Sequence, residues 1–241
     1  MNIFDIGIIL ILIMFGLVGF KKGAIKEAVS LIGIVLVFFI AFSLKGYVGN
    51  FLCKYLPFFQ FSGSLKGMVT INILIYQLIA FLIIYSILFS IYTIILKVSG
   101  IFQKLVNMTI ILLLPSKIIG FLIALIEGYI ITFIVLLVLL IPFKDNTLFN
   151  ESNLVNKIVY ESPIISKSTS NISNSIDEIY ILTDEVANEK ISTNDANLKI
   201  LDVMLKYKVV TPKTVEQLVV LDKLKAVNGV SDVISKYKQE V

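Results

Sequence analysis

The chain of 241 residues contains no histidine and no tryptophan, and every one of its 21 basic side chains is a lysine. Without histidine there is no Ser-His-Asp triad, no zinc site of the common His/Cys type and no histidine haem ligand. The one cysteine, Cys53, excludes an intramolecular disulfide and has no histidine to activate it. Neither G-x-x-x-x-G-K-[ST] nor G-x-G-x-x-G occurs, so no phosphate-cradling loop is marked. Serine and lysine are both plentiful, but nothing singles out one serine for a Ser–Lys dyad. The sequence predicts no enzyme, no metal and no cofactor. The missing arginine goes with a bias toward Ile, Asn and Lys, the mark of an AT-rich genome, and implies nothing about function.

Charge is also scarce. Charged residues make up 16% of the chain and hydrophobic residues 57%, against about 25% charge in ordinary soluble domains. The apolar residues concentrate in residues 1–143, where nine lysines face three acids (Asp5, Glu27, Glu127), a balance of +6. Residues 144–241 hold twelve lysines and fourteen acids, a balance of −2, which completes the net +4. The excess positive charge thus lies in the apolar half, where lysines orient a protein in a bilayer and meet anionic headgroups. A nucleic-acid interface would need a basic stripe on a soluble domain, and the polar tail is mildly acidic. No nucleic-acid partner and no small-molecule substrate is expected.

What is present is a set of long apolar runs. The first covers residues 3–20. At about 1.5 Å per residue it reaches about 27 Å, just enough for a hydrocarbon core of about 30 Å with Lys21 and Lys22 snorkelling beyond it. Asp5 precedes the run, the lysines follow it and no small-x-small cleavage site appears, so the pattern predicts a retained span rather than a signal peptide. A hinge over residues 21–23 leads to a second run, 24–44, which must be the antiparallel neighbour of the first. Residues 45–70, with Gly46, Gly49, Pro57, Gly63 and Gly67, read as a loop whose aromatic stretch Phe51–Phe59 is too short to span and suits the membrane interface. A third run covers 71–96 and carries Gln77, Ser86, Ser90 and Thr93. The last three share a face, where such groups bond to a neighbouring helix or to their own backbone. Residues 97–117 read as an interfacial helix turning at Pro115. The fourth run covers 118–141 and stops at Pro142.

The expected fold is therefore an all-α membrane protein of four transmembrane helices arranged as two hairpins (domain 1–143), with a helical, partly flexible extramembrane tail (144–241). In the tail, 166–175 is Ser/Asn-rich and reads as flexible, and Glu189–Asn197 reads as a polar loop. Leu198, Leu201, Met204 and Leu205 form an amphipathic stripe. Thr211-Pro212 is a helix start, and Ser231 reads as the cap of a last helix ending at Lys238. A unit of this size seldom has a self-sufficient core, so the tail is expected to dock on itself, on the membrane surface or on a partner.

Small residues mark the packing faces. Gly16, Gly19 and Gly23 fall on one side of the first helix, and Gly19-x-x-x-Gly23 allows close backbone approach. Ser116, Gly120, Ala124, Gly128 and Thr132 recur every fourth residue on the last span, a flat stripe suited to another helix, with the Gly16–Gly19–Gly23 face the natural partner. Beside that stripe sits Glu127, about nine residues into the span. An intramembrane carboxylate costs about 2.5–3.5 kcal/mol or more unless paired, and it marks either a functional site or a buried polar contact. Gln77, Ser86 or a tyrosine hydroxyl are the candidate structural partners. Asp5, Glu27 and Gln77 are candidate polar anchors, Asp5 at a helix N-terminus where the macrodipole favours an acid and Glu27 within reach of Lys22 and Lys26.

An even number of spans puts both termini on one side. Six lysines (Lys21, Lys22, Lys26, Lys97, Lys104, Lys117) follow the odd spans, against Lys45, Lys54, Lys66 and Lys144 on the other side. The positive-inside bias thus votes for a tail outside the cytoplasm.

Asp5 with Gly16, Gly19, Gly23 and Glu27, then Lys54-Tyr55-Leu56-Pro57-Phe58-Phe59, and above all Pro115-Ser116-Lys117-Ile118-Ile119-Gly120 through Ile126-Glu127-Gly128-Tyr129, form a familiar order. In these stretches the chain resembles the bacterial CvpA family, named for colicin V production. The resemblance covers about residues 1–143. It implies a four-span protein of the bacterial plasma membrane linked to toxin production or export and to envelope homeostasis, with no known reaction. Related membrane modules fused to serine proteases lend nothing here, because the tail has no histidine and no G-x-S-G motif. The expected role is an accessory or scaffold factor with membrane or envelope protein partners, or one that self-associates. The alternative is a small oligomeric transporter or proton-coupled channel built on Glu127.

Overall fold

A computed structural model describes residues 2–62, 65–98, 113–143, 146–162 and 165–238, and every regular element among them is helical. Ten helices follow in order: α1 (Ile3–Lys22), α2 (Ala24–Tyr55), α3 (Ile71–Val98), α4 (Leu113–Phe143), α5 (Thr147–Asn150), α6 (Asn153–Glu161), α7 (Ile165–Ala187), α8 (Thr193–Lys206), α9 (Pro212–Val220) and α10 (Val230–Lys238). Four of them, α1 to α4, are long and apolar enough to cross a membrane, so the chain is an all-α membrane protein.

Local chemistry sets the helix ends. Asn2 caps α1, accepting from the Phe4 and Asp5 amides while the Asp5 carboxylate accepts from the Asn2 amide, a reciprocal capping box. The helix stops at Gly23, whose φ of 82° and ψ of 164° form a conformation essentially confined to glycine. The hinge is thus a single residue, and α2 begins at once.

The elements depart from the sequence expectations in several places. Helix α2 does not end at Leu44 but runs 32 residues to Tyr55, because neither Gly46 nor Gly49 breaks it. Gly49 instead provides room for Gln77, whose Cδ would lie 2.6 Å from a Cβ at that position. Helix α4 starts at Leu113 and passes through Pro115. Pro115 is the third residue of the helix, in the first turn, where a missing N–H costs nothing. The interfacial helix expected before it falls largely on residues 99–112, outside those described. In the tail, the Ser/Asn-rich stretch expected to be flexible is helical within α7, with Ser173 and Ser175 bonding back to their own helix. The expected loop at Glu189–Asn197 closes early because Ser192 caps α8 and accepts from the Asp195 amide.

The chain divides into two compact units, residues 1–42 with 84–168, and residues 43–83 with 169–241. In the first, α1 lies along α4, and α5 and α6 return against them. Val155, Ile158 and Val159 of α6 are buried, and Phe4 meets Phe149 edge-on at 5.2 Å. The apolar side chains of α1 that face outward, among them Ile6, Leu10, Met14 and Leu17, are exposed in the isolated chain and suit a lipid environment. Ser90 and Thr93, expected on a polar face of α3, bond to carbonyls of their own helix, Ser86 and Ser90 respectively.

In the second unit, the end of α2 and the start of α3 share a core with α7 to α10. Ile73, Tyr76, Ile176, Ile200, Leu201 and Met204 are fully buried. Asn197 of α8 is its central polar tie. Its side-chain oxygen accepts from the Thr70 amide (3.0 Å) and hydroxyl (2.8 Å), and its NH2 donates to the carbonyls of Gly67 (2.8 Å) and Thr193 (2.9 Å). Asn72 holds the extended segment before it, accepting from the Phe59 amide at 2.7 Å and donating to the Phe59 carbonyl at 3.1 Å. The tail thus builds its core with the connection between α2 and α3. Thr211 caps α9 with Pro212 at the first helical position, while the residue before α10 is Gly229, at φ 92°, rather than Ser231.

Candidate functional site

The first unit is held by a seam of small residues between α1 and α4. All five residues of the α4 stripe, Ser116, Gly120, Ala124, Gly128 and Thr132, are buried, as are Gly16, Gly19 and Gly23. A Cβ on Gly19 would lie 2.2 Å from the Ala124 Cβ and 2.4 Å from the Gly120 oxygen. One on Gly16 would meet the Phe121 ring at 2.5 Å, and one on Gly128 would meet Phe15 at 2.8 Å. At Gly19 and Gly120 the approach is backbone against backbone, the kind of contact that associates helices where lipid removes the hydrophobic driving force. Ser116 adds a directional tie, accepting from the Ala24 amide at 3.2 Å just past the hinge. Thr132 donates to the Gly128 carbonyl in its own helix.

Asp5, 3% exposed, lies at the other end of this seam. Its Oδ1 accepts from the Ser152 hydroxyl (2.5 Å) and the Leu154 amide (3.1 Å), and Ser152 is the N-cap of α6. Asp5 therefore closes two helix starts at once, its own and that of α6. A carboxylate suits both, since each presents free N–H groups and the positive end of a dipole.

Two further acids meet inside the membrane unit. Glu27 of α2 is 1% exposed and Glu127 of α4 is 5% exposed. Their carboxyl groups stand near enough to interact. Ser30, one turn after Glu27, donates to Glu127 Oε1 at 3.1 Å. The Lys22 ammonium stands 3.0 Å from Glu27 Oε1 and is itself partly exposed. That contact has the distance of an ion pair without the angle of a hydrogen bond, so Glu27 Oε1 lacks a directed donor, as does Glu127 Oε2. Tyr85 and Tyr92 of α3 stand near enough to sense the Glu127 charge. The Tyr92 hydroxyl is committed to the Val29 carbonyl at 2.5 Å, and its ring fills the space left by Gly33.

The structure places tyrosines near Glu127, one of the neighbours the sequence suggested, but not Gln77. Gln77 donates to Asn50 at 3.1 Å instead, within the second unit. Ser30 and Glu27 take its place. Their i, i+3 spacing puts both on one face of α2, but the pairing of α2 with α4 is not written in either helix alone. No group of three or more His, Cys, Asp or Glu side chains fit to hold a metal ion occurs among the described residues.

Residues 4–163 match the family described as colicin V production protein. The match runs past residue 143 and takes in α5 and α6, the two helices that Asp5 and the Phe4 cluster tie to α1. No curated protein and no solved structure matches the chain.

Proposed function

The chain belongs to the colicin V production protein family and has four helices long and apolar enough to span a membrane, and from that premise we propose that it is an accessory or scaffold factor in toxin production or export and in envelope maintenance. The observation that carries this reading is the α1–α4 seam. The small residues let the two helices pack closely, with backbone against backbone at Gly19 and Gly120, which suits a fixed platform. The outward apolar faces and the helical unit built on the tail remain available to membrane or envelope partners. No catalytic or cofactor role is part of this reading. Crosslinking in living cells followed by co-purification tests it. Other envelope proteins should be recovered with the native chain and lost with Gly120→Leu and Gly128→Leu. Recovery of the chain alone, with both variants assembling normally, overturns it.

The same reading places the protein in the bacterial plasma membrane with both ends outside the cytoplasm. It is supported by the lysine bias and by the joint core of the tail and the α2–α3 connection, which a four-span path puts on one side. A reporter fused after Val241 should be active only in its extracytoplasmic form.

A second reading, a small oligomeric transporter or proton-coupled channel, is favoured by one observation: Glu127 Oε2 is buried with no donor. Reconstituted protein should then carry a proton-linked flux that Glu127→Gln abolishes. No flux in the parent, or an unchanged one in the variant, removes this reading.

A further inference from the structure

We propose that Glu27 and Glu127 form one intramembrane proton-binding site, in which the two carboxyl groups hold a single proton between them and exchange it toward the hinge at Gly23, past Lys22. This deepens the transporter reading by naming the ligand and the second carboxyl, but the site stands even if the protein conducts nothing.

Two counts support it. The first is of donors. Two carboxylates facing each other have no hydrogen between them, and a buried acceptor without a donor is costly. Ser30 supplies one hydrogen, to Glu127 Oε1, and the Tyr92 hydroxyl is spent on Val29. Glu127 Oε2 is left without a partner although the residue is 5% exposed. One added proton supplies the missing hydrogen. The second count is of charge. Among the described residues the site receives Lys22 from α1, Glu27 from α2, Glu127 from α4 and the neutral Tyr85 and Tyr92 from α3. One cation against two carboxylates leaves one negative charge in an apolar unit, and a single proton cancels it. A metal cation fits less well, because the Lys22 ammonium already stands at Glu27.

The position allows exchange. Gly120 touches Gly23 at the hinge, and Glu127 lies seven residues further along α4, about 10 Å deeper. The Lys22 side chain is 45% exposed while its ammonium touches Glu27, so it links the pair to the aqueous surface on the hinge side.

The test uses the full-length protein in lipid vesicles. Dicyclohexylcarbodiimide modifies carboxyl groups that are protonated in apolar surroundings, and peptide mass spectrometry locates the adduct. At neutral pH we expect an adduct on Glu27 or Glu127, lost as the pH is raised and insensitive to sodium. Glu127→Gln should lower labelling of Glu27 by about tenfold or more, since Glu27 then faces Lys22 alone. Infrared spectroscopy of the unmodified protein should show a protonated-carboxyl carbonyl band with matching pH dependence. That measurement needs no variant, so it remains decisive if Glu127→Gln fails to fold. The absence of both adduct and band at neutral pH overturns the proposal. So does protection by sodium alone, which would mark a cation site. Flux is read separately, so its absence would remove only the transporter reading.

Discussion

Gly19 and Gly120 each occupy the space that the other's side chain would need. A Cβ on Gly19 would fall 2.4 Å from the Gly120 carbonyl oxygen, and a Cβ on Gly120 would fall 2.6 Å from the Gly19 carbonyl oxygen. Backbone cannot move aside as a side chain can, so α1 and α4 must separate to admit a larger residue. Gly120→Leu is expected to cost about 3 kcal/mol or more, at the top of the overpacking range, and to lower the thermal unfolding midpoint in detergent. Gly46→Leu is the control. It is also helical, but a Cβ there meets nothing within 4 Å, so the midpoint should stay the same or rise slightly through helix propensity.

Asp5→Ala should release the start of α6. It removes the acceptor for the Ser152 hydroxyl and the Leu154 amide, leaving buried donors at a cost of about 1–3 kcal/mol. Hydrogen exchange at the Leu154 amide should speed up strongly, with smaller changes along α2. Unchanged exchange there would show that α6 is held by its apolar face alone.

How far such relationships were legible in the sequence depends on their range. The face with Gly16, Gly19 and Gly23 and the stripe from Ser116 to Thr132 follow from helical period, and each is a property of one helix. The four spans follow from run length. The bond from Asp5 to Ser152 crosses 147 residues, and no periodicity marks it. The approach of Glu27 to Glu127 needs the neighbours of α2, which run length does not give. Gly46 and Gly49 mislead for a physical reason: glycine weakens a helix by only about 1 kcal/mol, and tertiary packing at Gln77 outweighs that. Likewise Pro115 reads as a breaker only if it is taken as interior to its helix, whereas it lies in the first turn.

Asn197→Leu should destabilise the second unit out of proportion to its size. Four hydrogen bonds disappear, and the Thr70 amide loses its acceptor in a buried setting. A loss of about 1–3 kcal/mol is expected from that orphan alone. Limited proteolysis should then cut first near Gly67. Cleavage at the native rate would show that the segment is held without Asn197.

The second unit should also respond to acid through Glu178. Lys206 at 2.8 Å and the Tyr207 hydroxyl at 2.5 Å hold its carboxyl below the ordinary range. A carboxyl depressed in the folded state stabilises the fold above its unfolded value, and that contribution fades as the pH falls through the folded one. Between about pH 5 and about pH 3, the native chain should therefore lose more thermal stability than Glu178→Gln. The difference is small, because the Glu178 side chain is 36% exposed and solvent screens the pair. Equal losses would show that the pair contributes nothing.

The α1–α4 seam is the claim on which the platform rests, and disulfide trapping in native membranes tests it most directly. The Phe15 Cβ and a Cβ placed on Gly128 would be 2.8 Å apart, so Phe15→Cys with Gly128→Cys needs only a slight relaxation to reach the Cβ separation of about 3.8 Å in a disulfide. In a Cys53→Ala background, mild oxidation should give a fast-migrating intramolecular product in high yield. A product found only between chains, or none, would contradict the seam and the platform built on it.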